Sequence, residues 1–377
     1  MTMDLQAIRE EFAITRNYCF MNHASVAPLP RRSVDAIQSY LQQQHEKSYV
    51  EAGYRKKVEQ VRTLTARLIN AAPDEIALVK NTTEGISFVA NGLKWNPGDN
   101  IVTTSVEFPS NMYPWMNVQS RGAQIRTVLE ESGRIPLENL IEAIDSHTRV
   151  VAISAVQYAS GFRSDLKELG HWCQKRGVLF CVDAIQALGV LPIDVQEMKI
   201  DFLACGGHKW LCGPEGTGIF YCNRELTGHL RPSTVGWRSM KRGEDFSKYD
   251  MTFHDDARRF EASSYNMPGI YGLAASLELF QEIGLENISE HVLGLTDRLV
   301  EGVREKGYRV ISPREPGAAS GIVAFTSPTH DHHAVQQHLE KEHRIIIVVR
   351  EGRLRVSPHL YNSPDEIDRL IDVLPKH

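Results

Sequence analysis

The chain has 377 residues, 42% of them apolar and 24% charged, and a formal net charge of −5. That length supports two domains with separate cores, and the slight acidity, with only short basic clusters such as Arg55-Lys56-Lys57, argues against a nucleic-acid partner. No apolar run suffices to cross a bilayer, the opening MTMDLQAIREEFAI is too polar for a secretory signal, and six cysteines without a Cys-x-x-Cys pair read as reduced thiols of a cytoplasmic protein.

From about Pro73 to Cys222, short apolar runs alternate with amphipathic ones. Strands are expected at 75–80, 100–106, 124–130, 149–157, 178–184, 201–207 and 216–222. Between them TEGISFVANGLK, IPLENLIEAID and DLKELGHWCQKRG carry helical periodicity, the last with Ser164 as expected N-cap and Gly177 as its stop. The alternation predicts an α/β large domain over 20–257, a mostly parallel sheet covered by helices on both faces. The polar stretch from about 231 to 256 is expected to be irregular, a connecting or interface segment. From 258 a long helical pattern runs from Pro268 to about Lys306 with a break near Gly284-Leu285. Short strands and two further helices follow it, so 258–377, joined by 1–19, reads as a smaller α+β domain.

The chemistry concentrates at strand ends, where ligands bind in such sheets. Asp183 directly follows one apolar run. Lys209 follows the next, in GGHKWLCGPEGTG. A lysine can form a Schiff base with an aldehyde cofactor, and a carboxylate can hold that cofactor's ring nitrogen protonated, the pattern of a pyridoxal-phosphate enzyme. Thr82 and Thr83 stand where a strand hands over to a helix, a start suited to phosphate, although a plain N-cap explains them equally. Phe108 can lie on a planar ring or serve as core. Gln157 and Tyr158 can bond the ring oxygen or the substrate, or be ordinary loop groups. Arg355 can grip a carboxylate bidentately. Arg353 and Arg350 compete with it, and strand alternation puts Arg353 and Arg355 on one face. HDHH (330–333) opens an amphipathic helix without accompanying cysteines or paired carboxylates, so no metal is expected. GPEGTG lacks the Lys-Ser/Thr of a nucleotide loop.

At DAIQ…GGHKWLCGPEGTG the sequence resembles the class V aminotransferase and cysteine desulfurase family of fold-type I pyridoxal-phosphate enzymes, and the likeness extends from FMNHASVAPLP (20–30) through NTTEGI, EFPSN and FEASSYN (260–266) to RVSPHLYN. The resemblance implies Lys209 as Schiff-base lysine and general base, and Asp183 on the pyridine nitrogen. It places Gln186 at the ring hydroxyl, His208 near the phosphate with Thr82 and Thr83, and Phe108 stacked on the ring. Ser264 would reach the neighbouring subunit's phosphate in a homodimer with sites at the interface. Arg355 would take the α-carboxylate of a small amino acid, with Asn22 and His23 in the segment lining the pocket. Two departures stand out. Gly206 replaces a serine frequent in the family, and no cysteine follows Cys222, where desulfurases carry a nucleophilic one before the arginine. The implied activity is therefore a lyase, C–S β-elimination without a persulfide cysteine. The alternatives are a class V aminotransferase, a kynureninase-like hydrolase or an epimerase, and lastly a non-catalytic relative.

Overall fold

The structure is a computed structural model that describes residues 3–50 and 53–376. Helix α1 (Leu5–Glu11) leads to a two-residue strand β1 (Cys19–Phe20), then to helices α2 (Arg31–Lys47) and α3 (Tyr54–Leu68). The alternating region follows: β2 (Ile76–Val79), α4 (Thr82–Gly92), β3 (Asn100–Thr104), α5 (Tyr113–Asn117), β4 (Gln124–Val128), α6 (Leu137–Ala143) and β5 (Thr148–Ser154). It continues with α7 (Leu166–Arg176), β6 (Leu179–Asp183), β7 (Phe202–Gly206) and β8 (Gly218–Cys222). The C-terminal part holds α8 (Met267–Ile283), α9 (Leu285–Glu305), β9 (Arg309–Val310), β10 (Val323–Thr326), α10 (His332–His343), β11 (Ile345–Ile346), β12 (Val348–Arg350), β13 (Arg353–Val356) and α11 (Pro364–Val373).

All seven expected strands enter one sheet, in the order β2-β8-β7-β6-β5-β3-β4. Except in the edge strand β4, their residues are mostly buried on both faces because alternate side chains enter different cores. Val151 and Ile153 of β5 join one apolar cluster and Val150 and Ala152 the other, and Leu203 and Phe202 of β7 divide the same way. β8 runs antiparallel to both neighbours, a reversal that an apolar run cannot signal; the other pairings are parallel. β2 therefore points the same way as β3–β7, and six carboxyl ends share one edge. A four-stranded antiparallel sheet, β12-β13-β10-β9, builds the smaller domain.

The break foreseen near Gly284 is real: Gly284, at φ 86°, separates α8 from α9. α8 lies against α2 and α3 of the large unit. Gly177 stops α7 in the left-handed region at φ 67°. The cap of α7 differs from expectation. Asp165 accepts the Glu168 N–H, while the Ser164 hydroxyl donates to the Ser154 carbonyl. Asp331 caps α10, and His332 of the same histidine cluster bonds the Gly352 carbonyl through Nδ1 and the Ser327 N–H through Nε2. Residues 231–256 are largely irregular, with a short helical turn at Trp237–Ser239 and an isolated bridge between Met240 and Phe253.

Arg62 and Glu261, both buried, tie α3 to β2. Arg62 Nη2 lies 2.6 Å from Glu261 Oε2, Arg62 Nη1 donates to the Ile76 carbonyl, and the Leu78 N–H donates to Glu261 Oε1. Removing one member strands the other charge, a loss of about 3–5 kcal/mol. Glu261→Ala is thus expected to lower the denaturant midpoint strongly, and the apolar pair Arg62→Met with Glu261→Leu to recover most of it in equilibrium unfolding.

Candidate active site

The shared edge of the sheet gathers the chemical groups. In the parallel register Ser154 of β5 stands opposite Asp183 of β6, and Asp183 opposite Ala204 of β7. β7 then ends at Gly206, and the turn that follows carries Lys209. β3 delivers Glu107 and Phe108, β5 delivers Gln157 and Tyr158, and β2 leads into α4. A Cβ on Gly85 would stand 2.8 Å from Ala204 Cβ, so the glycine lets α4 pack directly on β7. The start of α4 is thereby fixed beside the turn. Asn81, not a threonine, is its N-cap, accepting from the Glu84 N–H. The Thr82 hydroxyl accepts the Gly206 N–H at 2.9 Å, and Thr83 donates to Ser110. Among the described residues, the backbone N–H groups of Thr82 and Thr83 have no partner, which leaves two donors for an anion.

Lys209 is 7% exposed, with Nζ 5.3 Å from the centroid of the half-exposed Phe108 ring. Burial lowers its pKa below that of an ordinary lysine. The Asp183 charge works against that shift, and Arg355 adds to it. Asp183 is 1% exposed. Its Oδ1 accepts the Ile185 N–H at 3.0 Å, while the buried Oδ2 has no partner among the described residues. Burial raises its carboxyl pKa; the Ile185 N–H opposes the shift, the Glu107 charge adds to it, and Lys209 opposes it.

Glu107, which sequence reasoning passed over, is a hub. Its Oε1 accepts from Thr104 Oγ1 (3.0 Å), the Ser154 N–H (3.0 Å) and Gln157 Nε2 (2.8 Å). Its Oε2 accepts from Asn111 Nδ2 (2.9 Å) and Ser154 Oγ (2.5 Å). An acid directly after a strand of a parallel sheet was the available signal. Because the carboxylate binds the amide nitrogen of Gln157, the buried Gln157 Oε1 remains a free acceptor.

The competition among arginines resolves by their partners. Arg353 pairs with Glu130 at 2.9 Å, and Arg350 lies exposed. Arg355 is 1% exposed and touches neutral oxygens: the Tyr158 carbonyl (2.8 Å), Ser25 Oγ (2.8 Å) and Asn22 Oδ1 (3.4 Å). No carboxylate faces it among the described residues, and burial and Arg350 press its pKa down. A buried guanidinium without an anion could take a carboxylate ligand. Tyr158 crosses Phe108 edge-on with centroids 5.2 Å apart, and its hydroxyl donates to Glu351.

Other expected residues stand apart from this group. His23 lies in an aromatic cluster with Trp210, His359 and Tyr361, its Nδ1 bonded to the Ser357 carbonyl, and burial presses its pKa down to about 3. Gln186 donates to the Ala24 carbonyl and accepts from Trp210 Nε1, so a single N–H of its amide is left. His208 is half-buried against Gly206. A Cβ on Gly206 would meet the His208 ring at 3.1 Å and Ile185 at 3.2 Å, so a larger residue there would need those side chains to shift. Ser264 is exposed, on a surface hollow shared with Lys80, Gly216 and Thr217.

A planar cofactor with a protonated ring nitrogen and a phosphate fits these residues. The orphaned Asp183 Oδ2 suits the nitrogen, Phe108 offers a ring face, and the open N–H groups of α4 suit the phosphate.

The class-V aminotransferase family matches residues 19–370, and the chain belongs to it. A probable cysteine desulfurase of Methanothermobacter thermautotrophicus is 30% identical, over 99% of this chain and 98% of the relative. The solved complex between the cystine C–S lyase C-DES and its reaction product cysteine persulfide matches with a TM-score of 0.88 at 26% identity, covering 97% of this chain and 100% of that one. A lysine-to-alanine variant of C-DES with glycine covalently linked to its PLP cofactor matches with a TM-score of 0.89 at 26% identity, covering 97% and 98%.

The electrostatics predict the behaviour of Lys209 in cofactor-free protein. Acylation by an amine reagent should follow a pKa well below the ordinary value of about 10.4. Asp183→Asn removes a stabilising anion and should lower it further, whereas Arg355→Gln removes a repelling cation and should raise it. Rates tracking free lysine in all three proteins would contradict the arrangement.

Proposed function

We propose that this pyridoxal-phosphate-dependent enzyme is a C–S lyase that eliminates sulfur from a small α-amino acid, with cystine as the leading substrate. The observation that carries this reading concerns thiols. All six cysteines are buried, and burial raises the pKa of Cys212 as it does those of the other five. Beside Arg355 the chain makes only the tight turn Glu351-Gly352 between β12 and β13, with both residues at positive φ. No enzyme thiol is available there to receive sulfur, so sulfur leaves with the departing half of the substrate.

In this reading Lys209 would hold the cofactor, and Asp183 would pair with its ring nitrogen. Thr82, Thr83 and His208 would surround the phosphate, and Gln186 would offer its remaining N–H to the ring hydroxyl. When bound, the cofactor supplies an electron sink that makes the substrate Cα–H acidic. Arg355 binds the α-carboxylate, helped in its orientation by Asn22 and Ser25. Lys209 Nζ takes the Cα proton as general base, and its lowered pKa keeps it neutral more of the time near pH 7. The electron pair from Cα–H expels sulfur from Cβ. With cystine the leaving group is cysteine persulfide, and hydrolysis of the remaining three-carbon fragment gives pyruvate and ammonia. Membership of the family favours a homodimer in which Ser264, exposed on this chain, would approach the phosphate region of a second copy. No described helix is long and apolar enough to cross a membrane, and a reducing cytoplasm suits six free thiols.

Cystine should yield pyruvate and persulfide in equal amounts, and Lys209→Ala should lose about 10²–10⁴-fold or more in rate. Alanine as the main product, or dependence on a 2-oxo acid, would overturn the lyase reading. A second measurement addresses the thiols directly. Iodoacetamide treatment of the native enzyme is expected to leave turnover unchanged, and inactivation that tracks alkylation of one cysteine would restore a desulfurase mechanism.

A further inference from the structure

A cavity of about 400 Å³ opens between the two domains, and none of the groups assigned above to cofactor or substrate lines it. Its walls are apolar: Ile135 and Leu140 from around α6, Leu166 of α7, Phe162 before it, and Leu191 with Ile193 after β6. The roof is Pro316–Ala318, from the segment joining β9 to β10. The rim between roof and walls is firmly sewn. The Arg163 N–H donates to the Ala318 carbonyl at 3.0 Å and the Ser320 hydroxyl to the Gly161 carbonyl at 2.6 Å. Gly161, at φ 73°, lies so close to Ile322 that a Cβ would stand 2.6 Å from its carbonyl oxygen. The cavity is thus part of the folded state, of a size typical for small-ligand sites.

One polar feature in this lining is unexplained. The Arg163 side chain makes no hydrogen bond or ion pair among the described residues, although it is half-buried and burial opposes its charge. Asp165 is the one anion that acts on it, and that carboxylate already accepts the Glu168 N–H at the start of α7. Lys167, also at the rim, is paired with Glu197. A guanidinium left without a counter-ion beside hydrocarbon walls matches one kind of guest. It would carry an anionic head able to take two parallel N–H bonds, and an apolar tail.

We propose that this cavity is a binding site for an aliphatic carboxylate of medium length, its head on Arg163 and its tail among Leu140, Leu166 and Ile193. An occupant would touch both domains at once, walls from the large one and roof from the small one. The site is independent of the lyase reading, and its test uses no turnover.

The holoenzyme is titrated calorimetrically with octanoate, and with octan-1-ol as the uncharged probe of equal length. Octanoate is expected to bind once per chain, with octanol weaker by about tenfold or more for want of the charged contact. Arg163→Gln should abolish the preference for octanoate, and Ala318→Phe, which fills the cavity from its roof, should abolish binding of both. The visible cofactor band should stay unchanged throughout. Absence of saturable octanoate binding would overturn the proposal. So would full octanoate preference in Arg163→Gln, or a band shift that follows the titration and so places the acid at Arg355.

Discussion

Four buried ionisable side chains act on one another near the carboxyl edge of the sheet: Glu107 and Asp183 of one sign, Lys209 and Arg355 of the other. Each is costly to bury alone, and the surrounding groups satisfy them unequally. Glu107 accepts five hydrogen bonds and is complete. Among the described residues, Asp183 keeps an oxygen with no partner, and Arg355 keeps a positive charge with no acid opposite. These unmet demands suit the proposed ligands, a cationic ring nitrogen for one and a carboxylate for the other. Most other features of the molecule hold these demands in place. The parallel register fixes Asp183 beside Ser154, the glycine contact seats α4 on β7, and the shielded position of Lys209 keeps its charge expensive.

How far the sequence revealed this depends on whether a feature is local. The seven strands, the stop at Gly177 and the break at Gly284 are written in nearest-neighbour chemistry, and each appears where periodicity and glycine put it. Asp183 and Lys209 were visible because strand ends in a parallel sheet collect at one edge. What escaped was decided at a distance. An apolar run has no direction, so the reversal of β8 was not legible. Ser164 and Asp165 are both good caps, and a carbonyl ten residues away claimed the serine. Glu107 owes its importance to donors from β5, which its own neighbourhood does not disclose.

The arginines illustrate the same limit. Alternation put Arg353 and Arg355 on one face and stopped there. Glu130, far away in sequence, then neutralises the first, while Asn22 and Ser25 leave the second charged and available. Identity at a site depends on which partner is missing, and that is a property of the assembled chain. His23 shows the converse. It sits one residue from Asn22, yet it turns into an aromatic cluster and is held neutral there.

The pairing of β1 with β11 joins Cys19 and Phe20 to Ile345 and Ile346. An early strand of the described chain thus waits for a late one. The Ser25 contact with Arg355 spans a separation of 330 residues, and closing so long a loop comes late in folding. The sheet that carries Asp183 and Lys209 can assemble earlier. A chain that had formed the sheet alone would therefore hold Lys209 before Ser25 and Asn22 reach Arg355.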